Sequence, residues 1–378
     1  MAGPGITRFS FPTEIHFGPG ARALVAEHLA AHGVRRPLVV TDRGLKDLPF
    51  LSSFVAGLAG AHVYAGVHGN PTREQVDAGV AAFRAHRADG VVGFGGGAAL
   101  DVAKAVALMS AHPGDVLEYA WDHPNPRPIE HSLPYFVALP TTSGTGSEVG
   151  RSAVISDTAT HVKKIVFSPA LLARAVFADP ELTLDLPAPL TAATGMDALT
   201  HNVESYLSPE FHPMCDGIAL EGARIAARSL ERAVARPRDL AARSDMMMAS
   251  LMGAVAFQKD LGAVHSCAHA LGTVVDMHHG LANGIMIDHV MRFNAEAAGA
   301  RMAELARVCG AGTTAGDFVA WLAALKARIG IPARLSERGV ERTHVPKLVS
   351  IALADTCHRT NPRPCSEGDF ERIFTAAL

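Results

Sequence analysis

Two stretches of the chain carry acid and imidazole side chains at helical spacing. In GMDALTHNVESYL, Gly195 to Leu207, Asp197 and His201 stand four residues apart. In HSCAHALGTVVDMHHGLAN, His265 to Asn283, His265 and His269 repeat that spacing, and His278 and His279 follow. Positions i and i+4 lie one above the other on a helix face. A carboxylate and an imidazole stacked that way are either a hydrogen-bonded pair or half of a metal site. Asp197, His201, His265 and His279 together would offer one carboxylate and three imidazoles. Such a set suits Fe2+ or Zn2+ and leaves room for a substrate oxygen. Both pairs lie in otherwise apolar helical stretches, where polar groups are costly unless something satisfies them. Spacing alone does not decide which of His265, His269, His278 and His279 bind.

A second kind of chemistry is written in glycine. GFGGGAALDVAKAVAL, Gly93 to Leu108, follows a strand-like run and opens a helical one. Consecutive glycines let the backbone approach a ligand closely. The helix that starts there turns unpaired N–H groups and a positive dipole end toward the turn, which suits a pyrophosphate. The spacing is not the GxGxxG of the standard dinucleotide fingerprint. PTTSGTGSEV, Pro140 to Val149, is a second polar loop after a strand. Two such loops at the carboxyl ends of parallel strands converge on one crevice. Asp42 ends another strand-like run, where a carboxylate can accept the ribose hydroxyls of NAD and repel the extra phosphate of NADP.

These groups need a scaffold, and the chain has two grammars. The runs 37–42, 62–67, 89–97 and 134–142 read as buried strands. ARALVAEHLAAHG and REQVDAGVAAFRAH between them read as helices. Alternating strand and helix implies a parallel sheet covered on both faces. After Asp179 to Pro187 the apolar spacing becomes three and four, as in CDGIALEGARIAARSLERAVA and DFVAWLAALKARIG. The boundary is expected near residue 185, giving an α/β nucleotide-binding domain over 1–185 and an all-helical metal-binding domain over 186–378. Residues 124 to 134 read as a surface loop.

Length and composition agree. At 378 residues the chain exceeds one ordinary core, and 48% hydrophobic with 19% charged residues fits a globular protein. A net charge of −3 offers no basic excess for nucleic acid, and no apolar run is long enough to span a membrane. The N-terminal stretch lacks the apolar core of a signal peptide. Cys215, Cys267, Cys309, Cys357 and Cys365 are odd in number and scattered, which predicts reduced, mostly buried thiols in a cytoplasmic protein.

Taken together, GFGGGAALDVAKAVAL, ALPTTSGTGSEV, ADPELTLDLP, TAATGMDALTHNVESYLS, GAVHSCAHALG, HHGLANG and TNPRP resemble the iron-dependent (group III) alcohol dehydrogenases, in that family's order. The resemblance implies a Rossmann-like α/β domain followed by a helical metal domain, the architecture shared with dehydroquinate synthases. It implies that Asp197, His201, His265 and His279 are the metal ligands, with Fe2+ ahead of Zn2+. It places His269 near the nicotinamide and substrate without making it a ligand. Asp42 matches the acidic residue linked with NAD preference over NADP. Asn70, Gly96, Gly97, Ala98, Asp101, Thr141, Thr142 and Lys163 match nucleotide contacts. Family members are commonly dimers or larger.

The implied activity is reversible hydride transfer between a small alcohol and nicotinamide, with an aldehyde as the other partner. Ala98 stands where the family usually has Ser, which removes a hydroxyl and leaves the backbone donors. Arg151 and His278 also depart from the pattern. Arg151 opens an alternative, a reductase of a carboxylate- or phosphonate-bearing carbonyl compound. Two more distant readings are a sugar-phosphate enzyme using the same glycine loop and a non-enzymatic nucleotide-binding protein.

Overall fold

The computed structural model describes residues 10, 11, 13–159 and 162–378. Residues 1–9 and 12 of the N-terminal stretch read above for a leader lie outside them. The described residues form eight strands: β1 Glu14–Phe17, β2 Pro37–Asp42, β3 His62–Val67, β4 Gly90–Gly95, β5 Tyr135–Pro140, β6 Ser152–Asp157, β7 Val162–Phe167 and β8 Ala175–Ala178. The helices of the first half are α1 Val25–Ala31, α2 Pro49–Ala56, α3 Arg73–His86 and α4 Gly97–Ala111. Those of the second half are α5 Ala188–Leu207, α6 Pro213–Ala235, α7 Leu240–Ala256, α8 Ala263–Val275, α9 His279–Val308, α10 Ala315–Arg328, α11 Val345–Ala354 and α12 Glu367–Ala377.

The chain divides into two compact units. One comprises residues 10, 11 and 184–378 with the short stretch Ser143–Thr145, and the other comprises 13–142 with 146–159 and 162–183. In the second, six parallel strands run in the order β1-β8-β5-β4-β2-β3. Strands covered on both faces must be largely apolar, and β4, β5 and β2 up to Val40 are. Val39, Val92, Phe94, Val137, Leu139 and Phe177 pack there with Val25, Leu29, Leu51 and Phe54 from the helices. Chain order reverses around β2 and β4: β3 lies on one side of β2 and β4 on the other. Such a switch point opens a crevice at the carboxyl ends of the two strands.

Sequence periodicity showed four of the strands. It missed β1 and β8, each only four residues long, and the antiparallel hairpin β6–β7. The expected one-piece α/β half is also interrupted. Ser143–Thr145 sits with the helical unit, where Ser250 Oγ donates to the Gly144 carbonyl at 3.1 Å.

The helical unit is built around α5. Every residue from Gly195 to Leu207 is buried, so this helix is enclosed on all sides by α6, α7 and α9. Met196, Leu199 and Val203 belong to a core that includes Leu230, Met246, Ile285, Phe318 and Phe370. A fully enclosed helix leaves its polar residues no route to water, so Asp197, His201 and Glu204 must be satisfied inside. Cys215 and Cys267 are buried, while Cys309, Cys357 and Cys365 are only half-buried.

A buried polar knot ties α4 to the sheet unit. Lys104 Nζ donates at 2.8 Å to Ser147 Oγ and to the Ser152 carbonyl. Glu148 beside it is buried with Oε1 unpartnered, and burial pushes its pKa from 4.5 up to about 7. The folded value lies above the unfolded one, so the stabilising contribution is complete below pH 4.5 and is lost as pH rises through 7. Glu148→Gln is therefore expected to raise the unfolding free energy at pH 8 by on the order of 1–3 kcal/mol. The gain should vanish at pH 4, and denaturant melts at the two pH values measure it.

Candidate metal centre and nucleotide crevice

Asp197, His201 and Glu204 occupy positions i, i+4 and i+7 of α5, which puts them on one stripe. His265 and His269 form the matching stripe of α8, and His279 is the first residue of α9. Gly280 brings α9 in: a Cβ there would collide with the Ala193 carbonyl and come within 3.2 Å of Asp197 Cβ. With no side chain in the way, His279 Nε2 reaches 3.4 Å from Asp197 Oδ1.

One donor atom each from Asp197, His265 and His279 lies within 4.8 Å of the other two. His265 Nε2 is 3.9 Å and His201 Nε2 4.0 Å from Asp197 Oδ1. The His201 ring stacks on His265 at 4.7 Å, outside the tightest group of three. Burial lowers the His201 pKa to about 4, so the ring is neutral near pH 7 and its lone pair is free to ligate.

The donor set fits a divalent cation. Asn283 Nδ2 lies 2.7 Å from Asp197 Oδ1, 3.3 Å from His265 Nε2 and 3.2 Å from His279 Nε2. Three electron-rich atoms thus converge on one weakly positive amide, while Asn283 Oδ1 is buried without a partner. A cation satisfies that convergence better than an amide does. Asp197, His201 and His265 side chains are almost fully enclosed, at 4%, 4% and 2% exposed, whereas His279 and His269 are 30% and 29% exposed. The cluster is closed at three of its side chains and open on one side, as a site that admits a substrate oxygen must be.

Glu204 holds the set together and was not singled out in the sequence. Its carboxylate accepts from His265 Nδ1 at 2.6 Å and from Val264 N at 2.7 Å. Gly262, the N-cap of α8, offers no side-chain cap, so Glu204 caps the helix from 60 residues away. Desolvation works against charging His265, but the hydrogen bond and charge of Glu204 outweigh it and raise the pKa. With Nδ1 protonated toward Glu204, Nε2 is left to face Asp197. The available signal was the i, i+4, i+7 polar stripe on an apolar helix.

His278 and His269 resolve differently. His278 caps α9, its Nδ1 accepting from Leu281 N at 3.4 Å. His269 stacks on His279 at 5.4 Å, and its Nδ1 is 2.8 Å from Asp355 Oδ2.

In the sheet unit, Asp42, Gly96, Gly97, Ala98, Thr141 and Thr142 meet at the switch point. Asp42 ends β2 and accepts from Leu45 N at 3.1 Å, and burial raises its pKa. Thr141 N donates to the Gly95 carbonyl at 3.0 Å. A Cβ on Gly96 would sit 3.3 Å from Thr142 Cγ2, so the glycine keeps this approach open. Gly96 to Ala98 are half-exposed at the start of α4. Asn70 follows β3, and Lys163 pairs with Ser156 in the hairpin; Ser156 N donates to the Pro71 carbonyl at 2.7 Å, bringing the two loops together. Asp101 is tied in from behind the turn: its oxygens accept from Ser147 Oγ at 2.6 Å and from Val154 N at 3.0 Å. Arg151 lies just before β6, where its carbonyl accepts from Ser168 N.

A doubly wound sheet unit with a glycine turn at its switch point and a helical unit with a carboxylate–imidazole cluster suit an enzyme that uses a nucleotide and a metal. Comparison with known proteins gives the family. Residues 12–180 match the model of the iron-containing alcohol dehydrogenases, and 191–378 match the C-terminal model of the Fe-containing alcohol dehydrogenase family. The chain is 38% identical to a 4-hydroxybutyrate dehydrogenase of Cupriavidus necator, over 97% of this chain and 98% of that one. The structure of a 1,3-propanediol oxidoreductase superposes with a TM-score of 0.93 at 37% identity, covering 99% and 100% of the two chains. A sulfoacetaldehyde reductase of Bifidobacterium kashiwanohense in complex with NAD+ superposes with a TM-score of 0.90 at 27% identity, covering 99% of each chain. The chain belongs to the iron-containing alcohol dehydrogenase family, and its activity is that of a metal-dependent alcohol dehydrogenase. The alternative of an anionic substrate held by Arg151 is not the reading these matches favour.

Glu204→Gln keeps the shape but weakens the hold on His265. It is expected to lower metal affinity by about 10–100-fold. Competitive titration of the metal-free protein with Co2+ and a chelator checks this; an unchanged affinity would remove Glu204 from the site.

Proposed function

We propose that the protein oxidises small primary alcohols, and reduces the corresponding aldehydes, with NAD(H), using Fe2+ held by Asp197, His201, His265 and His279. The convergence of the Asp197, His265 and His279 donor atoms carries this reading. Family membership supports iron over zinc, and a carboxylate–imidazole set without thiolate accommodates either. When bound, the metal supplies Lewis acidity to an alcohol or carbonyl oxygen and the nicotinamide supplies the hydride acceptor or donor.

The chain's own groups do the rest. Asp197 provides the charge that balances a cation, and neutral His201 and the Glu204-oriented His265 provide lone pairs. His279, half-exposed, marks the side open to substrate. His269 takes or returns the hydroxyl proton at Nε2, directly or through one water; such transfers are worth about 10²–10⁴ in rate. Gly96, Gly97 and Ala98 offer backbone N–H groups to a pyrophosphate at the start of α4. Asp42 receives the ribose hydroxyls, with Asn70, Thr141, Thr142 and Lys163 completing the nucleotide contacts and Asp101 acting through the loop. The sheet unit is thus the nucleotide-binding domain and the helical unit the metal domain. Five free cysteines support a reducing, cytoplasmic setting, and family habit supports a homodimer or larger assembly.

Metal analysis of anaerobically purified protein, with an NAD-linked screen over alcohols and aldehydes, tests the reading. His265→Ala is expected to abolish both metal and turnover; metal retained at full stoichiometry would contradict the ligand assignment. Asp42→Gly is expected to shift the ratio of kcat/KM values from NAD toward NADP by roughly tenfold, about 1.4 kcal/mol. An unchanged ratio would place the ribose elsewhere.

A further inference from the structure

His269 gains its geometry from a residue at the far end of the sequence. α11 ends at Ala354, and Asp355 follows as its C-cap in extended conformation. Asp355 Oδ2 lies 2.8 Å from His269 Nδ1. The other oxygen, Oδ1, accepts from Ser266 Oγ at 2.8 Å and from Cys357 N at 2.8 Å. Ser266 Oγ in turn accepts from His358 N at 2.9 Å. The carboxylate is therefore fixed by α8 and by the turn after α11 before it meets the imidazole. A fixed acceptor at Nδ1 selects the tautomer that carries its proton there. Nε2 is then a lone pair, on a ring stacked against His279 at 5.4 Å and 29% exposed. His269, Asp355 and Cys357 also offer donor atoms within 4.8 Å of one another, and these hydrogen bonds account for that closeness.

We propose that Asp355 is a positioning residue for the reaction: it holds His269 as the Nδ1–H tautomer and so keeps Nε2 ready to accept the hydroxyl proton of the alcohol. The proposal rests on the reading of His269 as the proton-transferring group. In the forward direction the alcohol C–H bond breaks and its electron pair leaves as hydride, reducing NAD+ to NADH. The O–H proton passes to His269 Nε2 and from there to solvent, and the alcohol is oxidised to the carbonyl compound. In reverse, His269 Nε2–H returns the proton.

The informative variant is Asp355→Asn. Its amide oxygen still accepts from Ser266 Oγ and Cys357 N, so the turn is kept. Its NH2 now faces His269 Nδ1 and drives the ring proton to Nε2, where it blocks proton acceptance. In the metal-loaded enzyme, kcat for alcohol oxidation is expected to fall about 10²–10⁴-fold. KM, metal content and melting temperature should stay near wild-type values. Ser266→Ala removes a tie to Asp355 without inverting the tautomer, and its kcat should fall far less. Independently of any variant, 15N NMR of the zinc-loaded wild-type protein, with histidine labelled, should show a protonated Nδ1 and an unprotonated Nε2 at His269. A protonated Nε2 there, or full kcat in a metal-replete Asp355→Asn protein, overturns the proposal. His269→Gln separates the two claims. If it loses activity while Asp355→Asn keeps it, the Asp355 proposal alone fails. If both variants keep full kcat, the reading of His269 fails as well.

Discussion

A carboxylate enclosed in a helical core is the constraint on which the functional half of the molecule depends. Asp197 is 3% exposed on a helix that is buried on every side. A charge in that position is destabilising unless it is paired and hydrogen-bonded. The surrounding structure supplies three imidazoles and an amide rather than a Lys or Arg. A neutral imidazole, as His201 is, does not neutralise a carboxylate; it offers a lone pair to a coordination shell. The local chemistry therefore asks for a cation, and the helices are arranged to let one be gripped from α5, α8 and α9 at once.

The same economy of position recurs around the cluster. Glu204 lies one turn of α5 beyond His201 and does two jobs with one carboxylate, capping α8 and orienting His265. Asp355 does the parallel job for His269 from the end of α11. Each imidazole of α8 is thus backed by its own carboxylate at Nδ1. The two differ in exposure: Glu204 and His265 are closed in, whereas Asp355 and His269 are partly open to solvent. That difference suits the proposed roles, since a group that moves protons needs an exit and a group that holds a metal does not.

Much of this was legible in the sequence, for identifiable reasons. The runs 37–42 and 62–67 appear in the structure with the same bounds; the first is buried up to Thr41, as an inner strand of a parallel sheet must be, whereas β3 is a half-buried edge strand rather than the buried one expected. The helix at 73–86 was equally legible, with Thr72 as its N-cap. Short β1 and β8 lacked length for any period to show, and the β6–β7 hairpin was hidden by the surrounding strand–helix alternation. At the site, the four-residue spacings of Asp197 with His201 and His265 with His269 were visible, but spacing left the partnership among the histidines open. Glu204 showed only as the third member of a polar stripe, and Asn283 and Asp355 were silent, because their roles arise from tertiary approach, across 60, 86 and 86 residues of sequence. Asp101 was legible as part of the glycine turn, yet its burial behind Ser147 depends on packing that no local pattern encodes.

The central claim is that one acidic oxygen and three imidazole nitrogens share an ion. X-ray absorption at the metal edge of the zinc-loaded protein tests it most directly. The account predicts only nitrogen and oxygen scatterers at about 2.0–2.2 Å, with multiple scattering from three imidazole rings. A sulfur scatterer near ~2.3 Å, or a signal with one imidazole or none, would contradict it.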